Sequence, residues 1–265
     1  MPIVHLDQSP LAPDASRVDI HVRDVGAPTG FPVVLLHGGW GYEFYAFDRQ
    51  IAAMPDYRIL APDRSGYGKS TPIRSLPPHF HVAAAAETEA VLDKLGVTRC
   101  CLWGHSDGAV IATILALRQP DRYAGIIVEA IHLDRTKLRS RSFFEMMAAD
   151  PDAFGDRVTA RLAAEHGNRW RSVLHMGGRA WLDIARTPDD DFYARRLGEL
   201  RVPMLALHGA DDPRTEPGEL DRLRREVPGV EIAMIAGGGH SPHSERAVAD
   251  EVTRLGTDFI ARVAR

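Results

Sequence analysis

Arg99-Cys100-Cys101-Leu102-Trp103-Gly104-His105-Ser106-Asp107-Gly108-Ala109-Val110-Ile111-Ala112 is the stretch that decides the fold. Residues 100–104 form an apolar run of strand length and 109–118 read as a helix, so a serine flanked by glycines stands at a strand-to-helix turn. Gly104 and Gly108 let strand and helix approach closely. The turn between them forces Ser106 into a strained conformation that pushes its hydroxyl out of the sheet. The backbone N–H of Asp107, at the helix start, can then face a developing oxyanion. On its own G-x-S-x-G is a weak motif, with a helix N-cap serine as its alternative reading; here it sits in the context that a nucleophile elbow requires.

A nucleophilic serine needs a base, and the base needs an acid to orient it. Both are sought at later strand ends, in the order serine, acid, histidine. After the apolar run 204–208 comes Gly209-Ala210-Asp211-Asp212-Pro213, a turn with two carboxylates. Pro213 holds the residue before it extended, which favours Asp212 over Asp211 as the presented acid. After the run 231–236, Gly237-Gly238-Gly239 allows the chain to turn His240 back toward the sheet edge, while Ser241 and Pro242 read as N-cap and N1 of a closing helix. His243 is the alternative base. A metal pair of His240 and His243 lacks further ligands at suitable spacing, so no metal is expected. The second oxyanion donor is sought after the run 32–37, in His37-Gly38-Gly39-Trp40-Gly41: Gly39 first, Trp40 second. Tyr42, Phe44 and Tyr45 either line an acyl pocket or pack beneath other elements.

Working outward, short apolar runs at 32–37, 58–62, 100–104, 125–130, 204–208 and 231–236 alternate with helical patterns such as 81–95 and 245–263. This is the signature of parallel strands joined by crossover helices and covered on both faces. Val18, Ile20 and Val22 alternate with Asp19, His21 and Arg23, which predicts a half-exposed antiparallel edge strand at the start. From 134 to 200 no buried strand is visible, and Phe143, Phe144, Trp170, Trp181, Phe192 and Tyr193 are scattered among arginines; this segment reads as a helical insertion over the sheet. Ser65-Gly66-Tyr67-Gly68-Lys69-Ser70 ends like a phosphate-binding loop, but Asp63 stands where that loop needs glycine, so no nucleotide site follows.

The 265 residues carry 32 basic and 36 acidic side chains, a formal net charge of -4, without the positive field that phosphate-backbone binding needs. Nucleic acid is not an expected partner. Cys100 and Cys101 are adjacent within an apolar run, where they read as small buried hydrophobes. No basic n-region, apolar leader or membrane-length run is seen. The expectation is a cytoplasmic protein, monomer or homodimer, acting on a small molecule away from the membrane.

With these residues in place the chain resembles the α/β-hydrolase family from about Val18 to Val263. The carriers are His37-Gly38-Gly39-Trp40-Gly41, the turn Asp63 to Ser70, the elbow at Ser106, the turn Gly209 to Asp212 and Gly239-His240-Ser241-Pro242-His243, in the family's order. The resemblance implies an eight-stranded, mostly parallel sheet with helices on both faces. It also implies a helical cap inserted after strand six, hence a core of 1–133 and 201–265 and a cap of 134–200. Epoxide hydrolases and haloalkane dehalogenases of the family place aspartate at the nucleophile position, whereas this chain has Ser106. In some subgroups the acid follows strand six, which keeps Glu129 as an alternative to Asp212. The expected reaction is ester hydrolysis by Ser106, His240 and Asp212, with Gly39 and Asp107 as oxyanion donors, Trp40, Phe144 and Trp181 in the substrate pocket, and no cofactor. Amide or carbon–carbon bond cleavage by the same groups, or a ligand receptor reusing the fold, are the alternatives.

Overall fold

The computed structural model describes residues 2–265. Eight strands, β1 (Ile3–Leu6), β2 (Val18–Gly26), β3 (Pro32–Leu36), β4 (Arg58–Pro62), β5 (Cys100–His105), β6 (Tyr123–Glu129), β7 (Met204–Gly209) and β8 (Glu231–Ile235), form one sheet in the order β1-β2-β4-β3-β5-β6-β7-β8. β2 pairs antiparallel with both β1 and β4, and every other pairing is parallel.

The apolar runs of β3, β5 and β6 bury both of their faces, whereas the run at 231–236, expected to be covered on both faces as well, forms the sheet edge β8, where Met234 is 44% exposed. Val33, Leu35, Cys101, Trp103 and Ile127 join one core, whereas Val34, Leu36, Leu102, Ile126 and Val128 join the other, as the period of two in a pleated strand requires. Helices α1 (Asp48–Ala52), α2 (Phe80–Lys94), α3 (Asp107–Arg118), α4 (Arg141–Ala149), α5 (Asp156–His166), α6 (Trp170–Ile184), α7 (Glu219–Glu226) and α8 (Ala249–Val263) complete the chain. α2 and α3 cover one face through Ala84, Ala85, Val91, Leu92 and most of α3; α8 covers the other through Val252, Phe259 and Ile260. Among the described residues no helix is long and apolar enough to cross a membrane.

Between β6 and β7 the chain is helical, with α4, α5 and α6 and no strand among residues 134–200. α6 buries Trp170, Val173, Leu174, Gly177, Trp181 and Ile184, a stripe at helical spacing. Its glycines set the distance to α4: a Cβ on Gly178 would stand 2.7 Å from the Phe144 carbonyl oxygen and 2.6 Å from the Ala148 nitrogen. Two buried carboxylates fasten this helical layer to the sheet. Glu219 of α7 accepts the N–H groups of Leu133 (2.8 Å) and Asp134 (2.7 Å) and pairs with Lys137 at 2.8 Å. Glu165 of α5 accepts the N–H groups of Glu43 (3.0 Å) and Phe44 (3.1 Å).

Other details also differ from the sequence reading. β2 is not the sheet edge, because β1 pairs with it, and its supposedly exposed residues His21 and Arg23 are buried against Asp63 at 3.0 and 2.7 Å. α8 starts at Ala249, so Ser241 and Pro242 are not its cap. The Glu245 carboxylate instead accepts the N–H groups of Gly239 (2.7 Å) and Ser241 (3.0 Å), which fixes residues 239–245 as a loop.

Glu165 is buried with His166 as its nearest base, 3.8 Å away, and burial pushes its carboxyl up from 4.5 to about 7. A group raised on folding contributes most below its unfolded value, and the contribution fades as pH rises through the folded one. The melting-temperature difference between the protein and Glu165→Gln is therefore expected to move against the protein between pH 4.5 and about 7, then level off. A difference independent of pH across that range would remove this ionisation from the fastening of α5.

Candidate active site

The site is built from the carboxyl ends of adjacent strands. β5 ends at His105 and α3 begins at Asp107, leaving Ser106 alone in the turn at φ 55° and ψ −117°. The closeness that produces this turn is severe. A Cβ on Gly104 would lie 2.1 Å from the Gly108 carbonyl oxygen, and one on Gly108 would lie 2.0 Å from the Leu36 carbonyl oxygen. Both positions admit only glycine. Ser106 N–H donates to the Glu129 carbonyl at 2.8 Å, tying the turn to the end of β6.

His240, in the loop after β8, brings its Nε2 to 3.1 Å from Ser106 Oγ. Its Nδ1 lies 3.1 and 3.0 Å from the two carboxylate oxygens of Asp212, in the turn after β7. An ionised carboxylate only accepts, so Nδ1 carries the hydrogen and Nε2 offers its lone pair to the serine O–H. Burial lowers the His240 pKa below 6.5, with Arg214 adding to the effect and Asp212 opposing it. Burial works to raise Asp212, but the hydrogen bond to His240 outweighs it and holds the carboxyl well below the usual carboxylate range; the Arg214 N–H, at 2.9 Å, helps.

The other residues considered from sequence fall elsewhere. Asp211 is exposed. Glu129 is fully buried against His243 Nδ1 at 2.6 Å, and His243 Nε2 donates to the Tyr45 carbonyl at 2.9 Å, so neither reaches Ser106. His240 and His243 thus serve different carboxylates. Gly39 passes directly over the elbow, where an added Cβ would be 3.0 Å from an Asp107 carboxylate oxygen. Asp107 opens α3, so its N–H has no acceptor within the helix. Gly39, Trp40, Ser106, Phe144 and Trp181 line one cavity of about 20 Å³. A groove of about 370 Å³ lined by His79, Val82, Arg135 and Phe192 lies apart and does not include Ser106.

The Asp107 side chain is buried and fully engaged. Its Oδ1 accepts from Trp181 Nε1 at 3.1 Å and meets His81 Nε2 at 3.2 Å, while Arg64 stands 3.5 Å from Oδ2. Arg64 in turn donates to the carbonyls of His37 and Gly38 (3.1 Å for the latter), so one ion pair joins the Gly39 loop, the elbow and α6.

His132, three residues beyond β6, was not singled out from sequence. Its Nε2 is 3.3 Å from Ser106 Oγ, and its ring stacks on His240 with centroids 5.7 Å apart. Since the serine hydrogen is already given to His240, this contact is favourable only with His132 Nε2–H as donor. Burial, reinforced by Lys137, holds its pKa well below 6.5. The available signal was position alone: a histidine just past a strand's carboxyl end, where sites of α/β sheets collect.

The sequence model of the Alpha/beta hydrolase family matches residues 33–252. A putative carbamate hydrolase, RutD, of Variovorax paradoxus is 28% identical over 263 residues, covering 91% of this chain and 96% of that protein. The serine hydrolase BPHL of Mus musculus is 26% identical over 250 residues, covering 92% and 83%. A thermophilic esterase from Thermogutta terrifontis shares the fold, with a TM-score of 0.74 at 22% identity over the whole of both chains.

Removing the Asp107 charge leaves Arg64 buried without its counter-ion, a change that costs about 3–5 kcal/mol when a buried pair is broken. Asp107→Asn is expected to lose stability of that order in urea denaturation at pH 7. Because the Asp107 pKa is lowered in the fold, largely by His81 and Arg64 acting against desolvation, the stabilisation is present above 3.8 and fades as pH falls below it. An Asp107→Asn protein as stable as the parent at pH 7 would contradict the pairing.

Proposed function

This chain belongs to the α/β-hydrolase family, and we propose that it hydrolyses carboxylic esters of small or medium size through a covalent acyl-enzyme on Ser106. The observation that carries the reading is the unbroken chain of contacts Asp212–His240–Ser106, at 3.0 and 3.1 Å, with the serine in the strained turn. Likeness to a protein named as a serine hydrolase supports the same nucleophile.

In this reading Ser106 Oγ attacks the ester carbonyl as its proton passes to His240 Nε2, and Asp212 stabilises the imidazolium that forms. The N–H groups of Gly39 and Asp107 receive the oxyanion. His240 then gives the proton to the departing alcohol oxygen, and a water molecule, deprotonated by the same nitrogen, releases the acid and restores Ser106. His132 Nε2–H, donating to Oγ, occupies one serine lone pair and leaves the other for the attack. Residues 134–200 serve as a cap whose Phe144 and Trp181 meet the acyl or alcohol group, while Trp40 closes the side next to Gly39. Residues 1–133 and 201–265 form the catalytic core. A small molecule is the sole partner the reading needs.

Labelling with a fluorophosphonate, followed by peptide mapping, is expected to modify Ser106, and Ser106→Ala should abolish both labelling and ester turnover, by up to about 10⁶ in rate. Asp212→Asn is expected to lower kcat by about 10⁴ and Asp211→Asn to change it little. Label on another residue, or full activity in Ser106→Ala, would end this reading. The pH profile supplies a separate check. His240 must be neutral to accept the serine proton, and its pKa is lowered by burial, so kcat/KM should be flat through pH 6.5 and fall only on the acid side of that value. An acid limb centred above 6.5 would show that a different base limits the reaction.

A further inference from the structure

The cavity beside Ser106 contains a cation that the chain leaves without a counter-ion. Arg214 lies in the turn after β7, two residues past Asp212, and its guanidinium carbon sits 3.8 Å from the centroid of the Phe143 ring. It lines the same cavity as Ser106, His132 and Trp181. Several arginines of the helical layer have partners of their own: Arg135 the Thr187 carbonyl, Arg161 the Phe44 carbonyl, Arg169 the Gly68 carbonyl, and Arg171 Asp152. Among the described residues no carboxylate comes within ion-pair distance of the Arg214 guanidinium, and its close polar neighbour is the Tyr45 phenol.

The acids nearby are already committed. Asp212 is held by His240 and by the backbone N–H of Arg214, and Asp107 by Trp181, His81 and Arg64. Asp107 is the single acidic residue lining the cavity, so the pocket offers a cationic substrate no free carboxylate and an anionic one an unpaired guanidinium. A guanidinium sunk among aromatic side chains is costly unless paired. Stacking on Phe143 uses its flat face and leaves the N–H edges, whose fork matches a carboxylate in bidentate fashion.

We propose that Arg214 is the carboxylate clamp of this pocket, and that the ester cleaved at Ser106 carries a free carboxylate on its acyl or its alcohol side. The inference rests on Ser106 being the nucleophile, and its test separates the two. The acyl-side pair is p-nitrophenyl hemiglutarate against p-nitrophenyl pentanoate; the alcohol-side pair is 4-acetoxybenzoate against phenyl acetate. In at least one pair the anionic member should have the higher kcat/KM. Arg214→Gln should lower kcat/KM for that member by about 10- to 100-fold, the worth of a hydrogen bond to a charged group, mainly through KM and far more than for its neutral partner. Arg214→Lys should restore part of the loss as a point charge without the fork. No anionic preference in either pair, or equal losses on charged and neutral esters, would overturn the clamp and leave Arg214 as a support for Phe143. Calorimetry with glutarate on Ser106→Ala, with and without Arg214→Gln, needs no turnover. If the parent cleaves no ester, glutarate binding that disappears with Arg214→Gln keeps the anion site while the reaction falls; absence of binding in Ser106→Ala overturns the site itself.

Discussion

The approach of the α3 amino terminus to β3 constrains everything else in the site. Gly108 presses so closely on the Leu36 carbonyl that no side chain fits between them, and Gly104 presses as closely on Gly108. The chain can pass from β5 to α3 only by placing Ser106 in a conformation that non-glycine residues rarely adopt. Because β3 and β6 flank β5 in the parallel sheet, the loops that leave their carboxyl ends bracket the same turn. Gly38 and Gly39 lie on one side, His132 on the other, and the turns after β7 and β8 supply Asp212, Arg214 and His240. A single steric fit between glycine and backbone thus determines which loops can meet.

Buried charge then locks those loops in place. Arg23 and His21 hold Asp63 under the turn after β4; Arg64 and His81 hold Asp107; His243 holds Glu129; Lys137 holds Glu219. Each pair joins segments distant in sequence, and several satisfy backbone N–H groups of irregular loops that would otherwise be buried without partners. Such pairs contribute little net stability compared with apolar replacements, but the loss of either member is costly, so they act chiefly to specify one loop arrangement. Asp107 combines both levels: its backbone opens the helix behind Ser106 and its side chain carries the ion pair that reaches α6.

What was legible in the sequence follows the same division. The elbow could be read because its determinants are local: an apolar strand, a glycine two residues to either side of Ser106, and a helix-forming run. His240 and Asp212 could be placed because each lies in a short turn immediately after a recognisable strand, and Pro213 distinguishes Asp212 from Asp211. The alternation at 18–23 was misleading, since a charged residue in a strand reads as solvent-facing unless its partner is known, and the partner of Arg23 and His21 is Asp63, some forty positions later. The beginning of α8 was misread because Ser241-Pro242 has the form of a helix start, while Glu245 takes the neighbouring N–H groups for a loop. His132 and the unpaired state of Arg214 depend on tertiary packing around the cavity, which no spacing rule encodes.

The cavity itself has a consequence for how the site is reached. At about 20 Å³ it has room for one water molecule, which needs roughly 10–15 Å³ by the same measure, and none for an acyl chain. Its walls are contributed by α4 and α6, whose backbones touch at Gly178, and by the Trp40 ring, which donates its indole N–H to Met147 Sδ at 3.5 Å. Admission of any substrate therefore waits on a parting of these walls. Apparent affinity is the intrinsic affinity diminished by the fraction of molecules that stand open. A residue outside the cavity lining, such as Gly178, consequently shares control of binding with those that line it, by setting how often the door is ajar.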